Sequence, residues 1–428
     1  MTSSRALISP PNLPTSNLPT SNLPTTTVIA TKKLLFITWD SDKSNYLETL
    51  FFPILAGLQA RGEIVAYVFQ FSWADREEVR RLEALAAGQG IAYQHLHIPR
   101  KPHPTLGSLW AVGRALKPLE TLIDEQKIEV LMPRSTMPAW VVLRMVSRLR
   151  HLPEIIFDAD GLPIQERLDF AGMKVGGLMH RLLKGIEDRI LEKADKVLVR
   201  SNRATAIHLE GNARLWARKF YKVINGRPEL LFFSSSSTRS ATRVRLGFGE
   251  DELLLVHAGS LGGGYETERM FELLQSLDEY GLPARLLLMS RNEEKAHAMV
   301  PMSLKSIVSV ISCEFEAVPE ILRAADIGIC LRKKAKSIAG IAPIKLGEYL
   351  MCGLPVVFSQ GIGDLDEMLS GLPFALRIDG EYSAQGFLRW ARRIPQMERS
   401  EIAEFGRRYF SLESSLESYT KALKEGWN

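Results

Sequence analysis

From Lys32 onward the chain repeats one pattern, a short apolar run followed by a stretch with helical spacing. Five runs, Leu34 to Thr38, Ile64 to Phe71, Ile128 to Met132, Glu154 to Phe157 and Val197 to Val199, predict strands. They are too apolar to leave one face in water, which predicts a parallel sheet covered by helices on both sides. The segment Met173 to Ala194 predicts the clearest helix, with Val175, Met179, Leu182, Ile186 and Ile190 on one stripe and Lys174, Arg181, Lys184, Arg189 and Lys193 off it. Such a stripe fits a helix lying on the sheet or one apposed to a membrane surface.

Near Asn225 the pattern breaks. Asn225-Gly226-Arg227-Pro228 reads as a turn, Ser234 to Ser237 is a serine run, and Arg239 to Arg245 holds three arginines and no acid, so a linker is predicted here. The alternation then restarts, with strands at Leu253 to His257, Ala284 to Met289, Ile307 to Ile311, Ile327 to Leu331 and Pro355 to Phe358. The fold class is therefore α/β, with two Rossmann-like, doubly wound parallel-sheet domains facing each other across a cleft. Open α/β sheets bind ligands at the carboxyl ends of their strands, which line that cleft. The predicted boundaries are 32–230 for the first domain, 231–383 for the second and 384–428 for closing helices. Residues 1–31 repeat the unit Asn-Leu-Pro-Thr-Ser and predict a disordered tail, because regular prolines deny the backbone a donor ladder.

Composition narrows the function classes. The 428 residues are 46% hydrophobic and 24% charged, which excludes disorder over the whole length. No apolar run reaches the ~18 residues of a membrane span. Three cysteines, Cys313, Cys330 and Cys352, have no zinc spacing and point to a reducing, cytoplasmic setting. The net charge of +5 is regional, since Arg134 to Arg227 holds 18 basic and 10 acidic residues. That region suits a phosphate-bearing substrate or an anionic membrane surface. Nucleic-acid binding is not predicted, because no recognition motif or interleaved aromatic residues accompany the charge.

The stretch from Ala339 to Val357 carries the most chemistry. Pro343 suits the first turn of a helix, and Lys345 and Glu348, three apart, then share a face near its positive end. A lysine can meet a phosphate while a carboxylate accepts hydroxyl hydrogen bonds from a diol; the plainer alternative is a surface ion pair. A second candidate, His257 to Tyr265, places Gly259, Ser260, Gly262, Gly263 and Gly264 between a strand and a helix, where backbone amides can approach a pyrophosphate. Turn geometry alone also accounts for such glycines. In the first half, Met132 to Pro138 follows a strand, Pro153 to Pro163 contains the next, and the loop from Asp40 to Tyr46 follows the first strand.

The stretch Gly340 to Val357 resembles the donor-binding signature of retaining GT-B glycosyltransferases of the group 1, family 4 type, in which a glutamate, seven residues and a second glutamate precede Ala/Cys-Gly-x-Pro-Val-Val. The resemblance assigns Glu348 to the nucleotide ribose and aligns Gly340 with the first glutamate, leaving the amides of Gly340, Ile341 and Ala342 at that place. It aligns the Gly259 to Gly264 loop with the family's donor loop, with Ser260 where the family has arginine. Lys345 and Arg332, with Lys333 and Lys334 beside it, are then the phosphate-facing cations. The Arg134-Ser135 loop, Asp160 where the family often has arginine, Glu166 with Arg167, and Asp42 and Asn45 resemble the acceptor side of bacterial surface-polysaccharide glycosyltransferases. Arg134 and Lys345 are the implied catalytic residues. The implied reaction moves a sugar from a nucleoside diphosphate sugar to a glycan or lipid-linked glycan, with retention. No metal or other cofactor is implied. The closing helices would cross back to the first domain, and the enzyme would work in the cytoplasm, at the inner face of the membrane.

Other readings remain beside it. Ile155 to Leu162 is similar to the nucleophile text of magnesium-dependent haloacid-dehalogenase-type phosphatases, with Asp158 and Asp160 as nucleophile and acid/base, but Leu162 stands where threonine belongs. The same two aspartates match the short metal motif of GT-A glycosyltransferases, which tandem α/β domains fit poorly. The glycine-free loop after the first strand excludes a dehydrogenase. No metal pairing is predicted for His95, His97 or His103. A nucleotide-sugar-binding pseudoenzyme is the non-enzymatic alternative, since Gly340 and Ser260 both replace charged family residues.

Overall fold

The computed structural model describes residues 31–41, 45–101, 103–210, 212, 214–380 and 383–425. The repeat-bearing segment 1–30 and Asp42 lie outside them. The first sheet is built from β1 (Lys32–Asp40), β2 (Ile64–Ser72), β3 (Ala92–His97), β4 (Val130–Pro133), β5 (Glu154–Asp158), β6 (Lys196–Val199) and β7 (Phe220–Lys222). Its order is β3-β2-β1-β4-β5-β6-β7, and every pairing is parallel. The second holds β8 (Leu253–Ala258), β9 (Ala284–Met289), β10 (Val308–Ile311), β11 (Ile327–Cys330), β12 (Val356–Ser359) and β13 (Ala375–Ile378), ordered β10-β9-β8-β11-β12-β13 and also parallel. In both sheets the winding reverses beside the first strand, which opens a crevice at the strand ends there.

Each sheet is covered on both faces by a separate apolar cluster. In β1, Leu34 to Ile37 are completely buried, which is why the sequence reads as a near-continuous apolar run. The strands missing from the sequence prediction, β3, β7 and β13, are all edge strands. Their partial exposure permits Gln94, His95, Lys222 and Arg377, and these erase the apolar signal.

Two expectations are corrected. The amphipathic helix starts at Leu178, because Gly176, at φ 73°, and Gly177 break the run before it. Its buried face is Leu183, Ile186, Glu187, Ile190 and Leu191, whereas Val175, Met179 and Leu182 are exposed. The serine and arginine run is a docked helix, Ser236–Leu246, and not a linker. Ser235 caps it by accepting from the Thr238 amide, and Gly247 ends it at φ 75°. Arg243 is fully buried and donates to the carbonyls of Ala324 and Glu252 at 3.0 and 2.6 Å, while Arg239 pairs with Asp326 at 2.8 Å.

The chain passes between the domains twice, and the passages touch. The Arg227 amide donates to Phe410 O at 2.9 Å, and the Leu412 amide donates to Arg227 O at 2.7 Å. The last helix, Leu412–Lys424, buries Leu416, Tyr419, Ala422 and Leu423 in the core of the first sheet, beside Phe52 and Leu55. The helix before it, Arg399–Phe410, packs on the helix Ile344–Met351 of the second domain.

Candidate functional site

Between the carboxyl ends of the two sheets lies a cavity of about 560 Å³. The second domain lines it with Ala258 to Leu261 after β8, Ser290 to Asn292 and Lys295 after β9, and Lys345 and Glu348 on the helix Ile344–Met351. The first domain contributes Ser41, Asn45, Tyr46 and Arg227. Four cations, Arg227, Arg291, Lys295 and Lys345, thus face one carboxylate. Such a site favours a polyanion.

Lys345 is placed by contacts that the sequence does not show. Its ammonium donates to the Tyr265 hydroxyl at 2.8 Å, and the Arg332 guanidinium lies 4.2 Å from the centre of the same ring. Beneath them His257 is buried, its ring nitrogens 3.1 Å from the carbonyls of Ile329 and Ser260. Burial, with the positive charge of Lys345 and Arg332 beside it, lowers its pKa to about 4 and keeps it neutral. Gly259 adopts φ 124°, and a Cβ there would lie 2.1 Å from Lys345 Nζ. Only glycine lets the loop pass the ammonium so closely.

Within the glycine-rich loop the anion-facing portion shifts from the predicted one. The Gly262 amide is spent on the Thr267 hydroxyl at 3.0 Å, and Gly262, Gly263 and Gly264 do not line the cavity. Gly264 instead packs toward Phe170 of the first domain. The amides of Ser260 and Leu261 carry no hydrogen bond among the described residues, and both residues line the cavity. They form the segment that can meet an anion.

Glu348 is 5% exposed and is not paired with Lys345. Its Oε1 accepts from Arg227 Nε at 2.7 Å. Arg227, in the turn between the domains, also donates to Thr49 O at 2.5 Å and lies 4.8 Å from the Phe315 ring centre. In the sequence that turn reads as punctuation, which hides Arg227. Its one visible signal was a cation at a domain junction.

The first-domain candidates form a separate cluster at the ends of β1, β4, β5 and β6. Arg134 Nη2 pairs with Asp160 at 2.6 Å, and its Nη1 stands 3.7 Å from Asp40. Burial opposes the Arg134 charge, but Asp160, Asp40 and Asp158 outweigh it and raise its pKa. Burial raises the pKa of Asp160 despite Arg134, and Asp158 adds to this. Ser135 at φ 69° and Asp160 at φ 51° hold backbone conformations that cost energy for non-glycine residues. Glu166 is exposed on the helix Pro163–Phe170. None of Arg134, Ser135, Asp160, Glu166, Arg332, Gly340, Ile341 and Ala342 lines the cavity, whereas Asn45, Gly259, Ser260, Lys345 and Glu348 do.

Asp158 is completely buried, and both its oxygens accept from Arg200 Nη2 at 2.7 Å. That arrangement disfavours the phosphatase reading, because a nucleophile needs a free, approachable oxygen. Among the described residues no group of three His, Cys, Asp or Glu side chains is placed to hold a metal. Gly340 has a local explanation. A Cβ there would lie 2.7 Å from Leu162 Cγ and 2.8 Å from the Leu162 amide nitrogen. The first domain's Gly161-Leu162 turn therefore fills the space that a longer side chain at 340 would need.

No known protein family and no curated protein matches the sequence. Solved structures match the fold. A glycosyltransferase from Rickettsia africae aligns with a TM-score of 0.68 at 13% identity, over 92% of this chain and 98% of the other. Anabaena HepE in complex with UDP-glucose aligns at 0.67 and 14% identity, over 92% and 99%. WaaG, a glycosyltransferase involved in lipopolysaccharide biosynthesis, aligns at 0.62 and 19% identity, over 92% and 99%. The chain has the GT-B fold.

Proposed function

We propose that this chain is a glycosyltransferase that moves a sugar from a nucleoside diphosphate sugar to a hydroxyl of a glycan or lipid-linked glycan. The observation that carries the reading is a cation-rich cavity with Lys345 on Tyr265, the open amides of Ser260 and Leu261, and Glu348 within it. The glycosyltransferase neighbours, one fold relative bound to UDP-glucose, and the motif around Glu348 support it. In the reaction the bond from the anomeric carbon to the diphosphate oxygen breaks, and one to the acceptor oxygen forms. The acceptor proton leaves with the diphosphate. Lys345 and the two amides stabilise the charge that grows on the departing oxygen, so the step needs no metal on this reading. Glu348 accepts the ribose hydroxyls. Arg134 orients the acceptor side, and the product retains the anomeric configuration of the donor.

The acceptor reading places the enzyme at the cytoplasmic face of a membrane, in surface polysaccharide synthesis. Val175 and Leu178, each 80% exposed, and Met179 stand beside Lys174 and Arg181, a combination that suits an anionic bilayer. Flotation with liposomes that shows no dependence on anionic lipid removes that part of the reading.

The primary test is calorimetry of the purified protein with UDP, GDP, ADP and CDP and their sugars, with and without magnesium, followed by a product assay. Metal-independent binding of one nucleotide and transfer of its sugar is the expected result. Binding without turnover identifies a pseudoenzyme, and absence of binding rejects the site.

A further inference from the structure

We infer that Arg227 is a positioning residue for the nucleotide site, which orients the Glu348 carboxylate and ties its occupancy to both chain passages between the domains. This inference rests on the nucleotide-sugar reading of the cavity. Arg227 is 6% exposed and lines the cavity, yet belongs to the turn that leaves the first domain. Its side chain spans the cleft, with Nε on Glu348 of the second domain and Nη1 on Thr49 of the first. Thr49 follows the cavity-lining Asn45 and Tyr46, and its amide donates back to Asn45 O at 3.0 Å. One guanidinium therefore connects the rim of the first domain to the carboxylate of the second.

The backbone of the same residue is clamped. Its N–H and C=O bond to Phe410 and Leu412 of the second passage, and the neighbouring Gly226 amide donates to Ser415 Oγ at 2.7 Å. A Cβ on Gly226 would lie 2.0 Å from Ser411 O, so the passages are in backbone contact. A displacement of the guanidinium is thus felt at both passages.

Glu348 needs this partner. A carboxylate buried this deeply and left without a donor is costly and is not fixed in the orientation that faces the cavity. Paired with Arg227 through one bond it is held in place, and with about four lone-pair sites it can still accept two hydroxyls.

The test uses the full chain with UDP as the first probe, and GDP, ADP or CDP if the screen selects one of them. Affinity is measured for the parent protein, Arg227→Met, Arg227→Lys, Glu348→Gln and the double variant Arg227→Met/Glu348→Gln. Arg227→Met is expected to weaken binding about tenfold alone but less than about twofold in the Glu348→Gln background, since the two act as a unit. Arg227→Lys, which keeps the charge, recovers part of the loss and serves if the methionine variant does not fold. Hydrogen exchange adds a readout of the coupling itself. Nucleotide should slow exchange in peptides spanning 225–232 and 408–414 of the parent, and in Arg227→Met only in those spanning 258–265 and 343–350. Equal losses in both backgrounds, or protection of the passages that survives in Arg227→Met, overturn the inference. A parent protein that binds no nucleoside diphosphate rejects the nucleotide reading itself, and the role of Arg227 with it.

Discussion

Two arginine–carboxylate pairs flank the cleft at the same closest distance of 2.7 Å, and they do opposite things. Arg200 and Asp158 are sealed, with side chains 1% and 0% exposed, and a single nitrogen occupies both carboxylate oxygens. Arg227 and Glu348, each 7% exposed at the side chain, share one bond beside a cavity. Burial of charge is common to both, so burial alone does not mark a site. What separates them is unused bonding capacity facing space that a ligand can enter.

The largest expected effect lies in the sealed pair. Arg200→Met leaves a buried aspartate without its partner and should cost about 3–5 kcal/mol of stability, read by chemical denaturation. Nucleotide affinity of the folded fraction should not change. A loss of affinity without a loss of stability would erase the contrast between the pairs.

A buried histidine on the cavity side gives an effect of similar size through pH. His257 is held at about 4, whereas an exposed histidine titrates near ~6.5. Above the unfolded value both states are neutral and the group is silent. As pH falls from about 6.5 to about 4, only the unfolded state takes the proton, so stability falls by about 3 kcal/mol and then levels off. Melting curves of the parent against His257→Gln over this range isolate the contribution. A constant difference between the two proteins across the range contradicts it.

The sequence made the central strands legible because their residues are buried on both faces, while the edge strands β3, β7 and β13 hid behind polar residues that a half-exposed position tolerates. It also made the Lys345 and Glu348 helix legible, since three-residue spacing is a local property. Partners distant along the chain were not legible. Arg227 meets Glu348 across 121 positions, and Tyr265 meets Lys345 across 80. In the glycine loop the amide at 262 looked available until Thr267, five residues on, proved to occupy it. Composition placed a basic excess between Arg134 and Arg227, but Arg134, Lys196, Arg200 and Arg227 are buried and none adds to a surface field at full strength.

The open pair is tested by Glu348→Gln, which keeps an acceptor oxygen and removes the charge. Hydrogen bonds to charged groups contribute about 1.5–3 kcal/mol, so nucleotide affinity should fall about ten- to hundredfold by calorimetry. Denaturation midpoints should shift less than in Arg200→Met, because the residual Arg227 charge borders a cavity and can be hydrated. A stability loss as large as that of Arg200→Met, with affinity intact, would make Glu348 structural.

The smallest effect separates phosphate from ribose within the cavity. Lys345 donates to Tyr265 and stands beside the Gly259 turn, so on the proposed reading it faces the place where a diphosphate would lie and not the place beside Glu348 where a diol would. Lys345→Met should weaken a nucleoside diphosphate about tenfold, equivalent to about 1.4 kcal/mol, and leave the weak binding of the matching nucleoside nearly unchanged. Glu348→Gln should weaken both ligands. The lysine charge also holds the His257 pKa down, so its removal should narrow the pH window over which His257 costs stability. Loss of nucleoside and diphosphate binding in equal measure would place Lys345 with Glu348 in holding the cavity's shape, and charge stabilisation would pass to the amides of Ser260 and Leu261.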